Sequence, residues 1–149
     1  MRGESELRIY MNACCFNRPM DDQDQERIRI EIDAIRTILQ KCKYGSWVLV
    51  GSEILEYELN ANPIYKKMEK AFSLYLIATE RGVISDEIRN RAKEFEKMKL
   101  AAFDSLHLAM AESLGVDVLL SVDDDFIKMS TQINAKVTVM NPVDWLMEA

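Results

Sequence analysis

The sequence predicts an α/β fold in which a parallel sheet is covered by helices on both faces. Short, continuously apolar runs such as residues 47–50 are bounded by Gly and Ser, as expected for strands buried on both sides. These runs alternate with longer segments whose apolar residues repeat at the helical period. Regular alternation of strand and helix over all 149 residues favours a parallel sheet within one domain, residues 1–149.

The first half of the chain is predicted to hold two strands and three helices. Residues 7–11 (LRIYM) form the first strand, and residues 13–20 form a loop. Asp21 or Asp22 then caps a long amphipathic helix that ends near Lys43. The strand at residues 47–50 is followed by a short helix that Ser52 caps, and this helix stops near Asn62 because a proline follows. A further helix is expected over residues 64–80, with Gly82 closing it.

The second half of the chain continues the same pattern. A helix is expected over residues 86–97, and another over residues 101–114, where apolar side chains go nearly all round. Gly115 ends that central helix. Strands follow at residues 116–120 and 137–140, and Asn141 with Pro142 begins a final helix that continues through Trp145.

Composition and charge exclude several classes of function. The net charge of -6 and a pI of about 4.9 argue against a protein that coats nucleic acid by bulk electrostatics, although a nuclease with acidic metal ligands remains compatible. No apolar run is long enough to span a bilayer, and residues 1–6 are charged and lack the apolar core of a signal peptide. The protein is therefore expected to be soluble and cytoplasmic, without a membrane partner.

The cysteine and histidine content gives no nucleophilic or zinc site. The three cysteines are odd in number and lack zinc-binding spacing, so reduced thiols are expected. The single histidine, His107, lies in an apolar stretch and is interpreted as a structural residue with a satisfied hydrogen bond. Nucleophilic catalysis of the Ser-His-Asp or Cys-His kind would have His107 as its one available base.

The candidate site consists of polar side chains at places where an α/β chain brings residues together. Asn12 and Asp123 follow predicted strands, with Asp125 close behind, whereas Glu58 lies in the helix capped by Ser52 and Asp104 opens the central helix. In an open parallel sheet, ligands bind beyond the carboxyl ends of the strands. If these side chains meet, their oxygens can hold Mg²⁺ or Mn²⁺ and leave positions open for water and phosphate. The sequence then predicts a metal-dependent site that cleaves phosphodiesters.

Each acid also has a purely structural interpretation. Glu58 falls on the same helix face as Ile54, Leu55 and Leu59, so it needs a cation, a metal or several donors as a partner. Asp104 could serve as a carboxylate at a helix N-terminus. At least one acid among residues 123–125 is expected to cap the helix that follows. Capping explains one or two of those three acids and leaves a third for chemistry.

Taken together, these segments resemble the PIN domain family, the metal-dependent ribonuclease fold of VapC-type toxins from toxin–antitoxin pairs. The resemblance covers essentially the whole chain. Its motifs are residues 9–12 (IYMN), residues 52–59 (SEILEYEL), residues 104–109 (DSLHLA) and residues 121–126 (SVDDDF).

The resemblance implies a three-layer α/β/α domain with a central, mostly parallel sheet of about five strands. It also implies an acidic pocket that binds Mg²⁺ or Mn²⁺ and hydrolyses RNA. By position, Glu58, Asp104 and Asp123 match the family's metal-site acids, and Asp125 matches an additional acid found in some members. Family members commonly form homodimers and pair with a small antitoxin protein.

One position departs from the family pattern. The family usually has Asp where this chain has Asn12, and an amide oxygen can ligate a hard cation but brings no charge and cannot act as a base. Natural degeneration, a tuned-down enzyme and an introduced substitution all account for this residue. An inactive PIN-like domain that binds RNA or a protein partner is therefore the alternative function.

A third hypothesis is a phosphatase-like or response-regulator-like domain, which also clusters acids after strands. Such a domain needs a lysine near the end of its last strand. Lys136 precedes the last predicted strand instead, which counts against this hypothesis.

Overall fold

Five parallel strands form a single sheet in the computed structural model, which describes residues 6–149. The strands are β1 (Arg8–Met11), β2 (Val48–Ser52), β3 (Glu80–Gly82), β4 (Val118–Leu120) and β5 (Val139–Met140). Their order across the sheet is β3-β2-β1-β4-β5. The first strand is central, with Ile9 in register with Leu49 on one side and with Val118 on the other.

Helices connect the strands and cover both faces of the sheet, which confirms the predicted α/β/α architecture. They are α1 (Ala13–Asn17), a 3-10 turn (Arg18–Met20), α2 (Glu26–Lys43), α3 (Glu53–Asn60), α4 (Tyr65–Tyr75), α5 (Asp86–Lys97), α6 (Ala102–Leu114), α7 (Asp124–Gln132) and α8 (Pro142–Glu148). Helices α5 and α6 pack together, as do α2 with α8 and α1 with α4. In the described part of the chain, no helix has the length and apolar character needed to cross a membrane.

Several predicted helix ends are confirmed by their capping contacts. The Ser52 hydroxyl accepts a hydrogen bond from the Leu55 amide, and Asn141 accepts one from the Val143 amide. Gly115 has a φ of 64°, the left-handed conformation that terminates α6. The expectation about the charged chain start concerns residues 1–6, of which residues 1–5 lie outside the described residues.

Two segments differ from the prediction because tertiary contacts override the local pattern. Residues 13–20, expected to be a loop, form α1 and the 3-10 turn, since Cys15 and Phe16 are buried in the core. The helix that was expected to reach Glu80 ends at Tyr75, and Glu80 instead begins the edge strand β3. Gly82 is a strand residue and not a helix cap. A Cβ atom there would lie 2.6 Å from Met110 Sδ, so glycine allows α6 to pack closely.

The start of the long helix also differs from the prediction. Gln25 occupies the N-cap position of α2, four residues after Asp21. Asp21 instead accepts a hydrogen bond from Arg18, at 3.1 Å between Nη1 and Oδ2. The side chain of Asp22 accepts from the Asp24 amide within the turn that precedes the helix.

A buried carboxylate, Glu31 of α2, ties the start of that helix to three neighbouring segments. Glu31 is 1% exposed, and its Oε1 accepts hydrogen bonds from Arg18 at 2.9 and 2.6 Å. Its Oε2 accepts from Arg27 at 3.2 Å and from Asn141 at 2.7 Å. Arg27 also binds both carboxylate oxygens of Asp124, the first residue of α7. The cluster therefore holds the 3-10 turn, α7 and α8 against α2.

We predict that Glu31→Gln lowers the free energy of unfolding by about 2–4 kcal/mol, because Arg18 and Arg27 lose the charge that they surround. Denaturant unfolding monitored by circular dichroism measures this change. Glu26→Gln, an exposed position on the same helix, is the matched control and should change stability by less than about 0.5 kcal/mol. Equal effects of the two substitutions would show that the buried cluster contributes nothing special.

Candidate functional site

A small cavity lies at the carboxyl edge of the sheet, where β1, β2 and β4 end. Its volume is about 100 Å³. The residues that line it are Asn12, Ala13, Cys14, Glu58, Asp104, His107, Ser121 and Asp123. The structure thus brings together four of the five side chains proposed from the sequence. The fifth, Asp125, is not among the lining residues, and its backbone amide donates to Asp123.

A larger cavity of about 510 Å³ lies between α2, α7 and α8. Size alone would favour it as a ligand site. Two of the three acids that line it, Glu31 and Asp124, however, already accept hydrogen bonds from arginines at distances between 2.6 and 3.2 Å. Those two carboxylates serve the structural cluster, so the smaller cavity, which gathers Glu58, Asp104 and Asp123, is the better candidate for chemistry.

Asn12 follows β1 directly and presents an unsatisfied amide oxygen. Its backbone is fully engaged, because its N–H donates to Leu120 and its carbonyl accepts from Cys15, both at 2.9 Å. Its side chain does not cap α1, and Oδ1 is buried without a hydrogen-bond partner among the described residues. Leaving such an oxygen unpaired costs about 1–3 kcal/mol. A buried acceptor that lines a cavity beside three carboxylates suits a cation or a bound water.

Glu58 obtains the partner that its position on an apolar helix face demanded, and that partner is His107. His107 is buried in α6, and its Nε2 contacts Glu58 Oε1. The other ring nitrogen, Nδ1, lies 2.7 Å from the Tyr10 hydroxyl, which lies 2.8 Å from Ser52 Oγ. Burial raises the pKa of Tyr10 far above its usual value, so the phenol keeps its proton.

These contacts form one continuous chain of hydrogen bonds. The Glu58 carboxylate accepts from His107 Nε2, and the Tyr10 hydroxyl, which can both donate and accept, links His107 Nδ1 to Ser52 Oγ. Ser52 in turn accepts from the Leu55 amide. His107 is therefore the satisfied structural histidine that the sequence indicated, and it also fixes one oxygen of Glu58. The second oxygen, Oε2, is the one that can take a ligand.

Asp123 both caps a helix and lines the cavity. The sequence had left open which of the acids 123–125 caps the helix and which is available for chemistry. Asp123 is the N-cap of α7, and its Oδ1 accepts from the backbone amides of Asp125 at 3.0 Å and Phe126 at 3.2 Å. Its own amide donates to Ser121 Oγ at 3.1 Å. These contacts orient the carboxylate by a single oxygen, and the residue lines the cavity at the same time.

Asp104, in the first turn of α6, has a raised pKa because it is half-buried beside other acids. Burial raises the pKa of its carboxyl, and the charges of Asp123 and Glu58 raise it further, while His107 acts in the opposite direction. No Lys or Arg is among the residues that line the cavity. The acids therefore repel one another with no lysine or arginine in the cavity lining to offset their charge.

The donor set fits a hard divalent cation, although the acids do not form a complete cage. In residues 6–149, no group of three or more His, Cys, Asp or Glu side chains is placed to hold a metal ion by itself. Mg²⁺ is usually held through one or two carboxylates, with waters and substrate phosphates completing its shell. The mutual repulsion of the acids and the unpaired Asn12 oxygen are what such an ion would relieve.

Sequence reasoning did not identify Cys14 and Ser121 as lining residues. The Cys14 thiol lies 3.5 Å from Ser121 Oγ, and a hydrogen bond with Cys15 contributes most to lowering the pKa of Cys14 to about 7. Cys14 lies three positions beyond the end of β1, and Ser121 lies one position beyond the end of β4. That position was the available signal, because side chains there point into the same crevice as the acids.

We predict that Asp104→Asn raises the free energy of unfolding at pH 7 in the absence of metal. A carboxyl whose pKa is higher in the folded chain than in the unfolded chain costs stability wherever it is ionised. The difference between variant and parent should grow from about pH 4, the usual unfolded pKa of Asp, to a plateau above the raised folded pKa. Urea unfolding at several pH values measures it.

The matched control for this prediction is Asp86→Asn. Asp86 also lies in the first turn of a helix, but it is exposed, and its carboxylate supports the helix terminus. Asp86→Asn should leave stability unchanged or slightly reduced at pH 7. A loss of stability in Asp104→Asn at neutral pH would contradict the assignment of repulsion to this site.

Comparison with known proteins assigns the chain to a family and a fold. The PIN domain family model matches residues 48–131, more than half of the chain. No curated protein matches the sequence.

Solved structures share the fold at low sequence identity. VapBC2 from Rickettsia felis, in a structure bound to a DNA fragment from their promoter, matches with a TM-score of 0.60 and 13% identity, covering 91% of this chain and 98% of that one. VapBC-1 from nontypeable Haemophilus influenzae gives 0.57 and 14%, with the same coverage. PAE2754 from Pyrobaculum aerophilum gives 0.54 and 14%, covering 97% of this chain and 91% of that one.

Proposed function

This chain belongs to the PIN domain family, and we propose on that premise that it is a ribonuclease dependent on Mg²⁺ or Mn²⁺. The observation that carries the proposal is the lining of one small cavity by three carboxylates and an unpaired amide oxygen. The three carboxylates belong to Glu58, Asp104 and Asp123, and the amide belongs to Asn12. A cavity of about 100 Å³ suits a cation with a few waters.

The four lining residues would hold the cation, and Asp125 is proposed as an additional ligand that acts from outside the cavity lining. When bound, the ion lowers the pKa of a coordinated water and offsets charge on the scissile phosphate. The protein groups position this chemistry. His107 holds Glu58 by one oxygen, and the amides at the start of α7 hold Asp123 by one oxygen. Neither carboxylate is then free to rotate away from the cavity.

Asn12 sets the strength of the proposed site. Its oxygen can ligate a cation, but it contributes no negative charge. A unit charge 4 Å from another is worth about 4 kcal/mol at an effective dielectric of about 20, and more for a dication. The chain is therefore proposed to bind Mg²⁺ or Mn²⁺ weakly and to cleave RNA slowly.

We predict that Asn12→Asp increases the rate of Mn²⁺-dependent RNA cleavage at least about tenfold at limiting metal, because the added charge tightens metal binding. Asp104→Asn and Asp123→Asn should abolish cleavage. The measurement is gel analysis of structured and single-stranded RNA incubated with Mg²⁺ or Mn²⁺ and, separately, with a chelator.

Two controls make this test specific. Asp125→Asn should reduce cleavage less than Asp104→Asn, because Asp125 does not line the cavity. Asp144→Asn, in the first turn of α8, should leave the rate unchanged. If neither the parent nor Asn12→Asp cleaves any RNA tested, the enzymatic function is wrong for this protein.

The cellular role that we propose is that of a cytoplasmic toxin from a toxin–antitoxin pair, with a small antitoxin partner and a homodimeric assembly of single-domain chains. Two of the similar structures are of VapBC proteins, which supports this role. The fold likeness spans nearly the whole of those chains.

A second candidate function is an inactive PIN-like domain that binds RNA or a protein partner. The uncharged Asn12 in the acidic cavity favours it. If this candidate is correct, the parent chain gives no calorimetric heat of binding with Mn²⁺ at millimolar concentration. The Asn12→Asp variant, which regains the charge, binds Mn²⁺. Saturable Mn²⁺ binding by the parent chain, lost in Asp104→Asn, would exclude this candidate and support the ribonuclease.

A further inference from the structure

Two exposed aromatic side chains stack against each other beside the candidate site. Tyr57 of α3 is 66% exposed and Phe103 of α6 is 43% exposed. Their ring centroids are 5.8 Å apart, and their planes differ by 18°. The buried side of α3 consists of Ile54, Leu55 and Leu59, so Tyr57 points away from the core. The pair forms an aromatic platform that the hydrophobic core does not require.

The two platform residues are sequence neighbours of acids that line the cavity. Tyr57 immediately precedes Glu58, and Phe103 immediately precedes Asp104, so each ring belongs to the neighbour of a carboxylate that lines the cavity. Consecutive Cα atoms are about 3.8 Å apart. The stacked rings therefore join α3 and α6 at the positions next to two of the cavity acids.

The size of the cavity requires the bases of a polynucleotide to lie outside it. Pockets that enclose organic ligands have volumes of about 300–1,000 Å³. The acidic cavity has about 100 Å³, enough for an ion and its waters but too little for a nucleotide. A phosphate that reached the cavity would leave its flanking bases at the rim, beside Tyr57 and Phe103.

The charge of the protein gives a further reason for a contact by stacking. The net charge is -6, and no Lys or Arg lines the cavity. Phosphate contacts by basic side chains, which usually supply most nonspecific affinity, are thus missing from the cavity wall. Aromatic stacking holds bases of any sequence and needs no positive charge.

We propose that Tyr57 and Phe103 form a stacking platform for an unpaired base of single-stranded RNA whose backbone passes the acidic cavity. Phe103 already covers one face of Tyr57, so the base stacks on the outer face of the tyrosine ring. The inference rests on the proposed ribonuclease function and extends it to the substrate class. Base-paired RNA, whose bases are already stacked, binds the platform poorly.

The test uses the full-length chain and a short single-stranded RNA that carries 2-aminopurine, whose fluorescence falls when it stacks on an aromatic ring. Titration in Ca²⁺, another dication that takes oxygen ligands, measures both affinity and stacking, and a gel verifies that the RNA stays intact. The parent chain should quench the fluorescence. Tyr57→Ala should weaken binding about five- to a hundredfold and remove the quenching.

Matched variants separate stacking from other effects. Tyr57→Phe retains the ring and should retain binding, whereas Tyr57→Leu retains apolar bulk without a ring and should behave like Tyr57→Ala. Tyr44→Ala removes a 78% exposed tyrosine that precedes β2, at the opposite edge of the sheet, and should have no effect. A duplex of the same sequence should bind more weakly than the single strand.

The results also distinguish this inference from the ribonuclease proposal. Undiminished binding and quenching by Tyr57→Ala, or no binding of single-stranded RNA by the parent, would overturn the platform even if the parent cleaves RNA with Mn²⁺. Ring-dependent quenching without any cleavage by the parent or Asn12→Asp would support the platform and overturn the nuclease. Sedimentation that shows a dimer dissociating in Tyr57→Ala, with RNA binding unchanged, would make the rings a self-association surface and overturn the inference.

Discussion

Repulsion between like charges is the constraint on which the site depends. Glu58, Asp104 and Asp123 line a cavity of about 100 Å³ whose lining contains no Lys or Arg. The chain tolerates this arrangement because the His107 imidazole fixes one oxygen of Glu58, and helix amides fix one oxygen of Asp123. Asp104 absorbs the remaining cost as a raised pKa. Folding thus stores an electrostatic cost that only a cation or a proton can release.

The scaffold supplies this geometry through the central strand. Tyr10 of β1 connects Ser52, at the junction of β2 and α3, with His107 of α6. His107 in turn forms a hydrogen bond with Glu58 of α3. Three elements that are far apart in sequence are therefore locked by buried hydrogen bonds, and the loss of any member would leave a buried polar group unsatisfied. The same residues that complete the core also aim the carboxylate.

The sequence predicted the elements whose local pattern agrees with their tertiary role. The amphipathic helix expected over residues 86–97 matches α5 at both ends, and the caps at Ser52 and Gly115 form as their chemistry requires. The edge strand β3 escaped prediction because Glu80 and Arg81 carry no strand pattern, and pairing with β2 alone defines it. The placement of Glu58 on an apolar face indicated a buried partner. Its identity as His107, 49 residues away, depends on how α3 and α6 pack.

Asn12 can be understood within the same electrostatic constraint. An aspartate at this position would place a fourth negative charge beside three that already repel one another, and its burial at 6% exposure would add a desolvation cost. The amide removes that charge, so the chain without metal folds with less repulsion, while the oxygen remains unpaired at the cavity. By the same argument, the amide favours folding without metal and would weaken metal binding at the proposed site. The residue that would weaken the proposed catalytic centre is thus the one that makes the chain easier to fold without a metal.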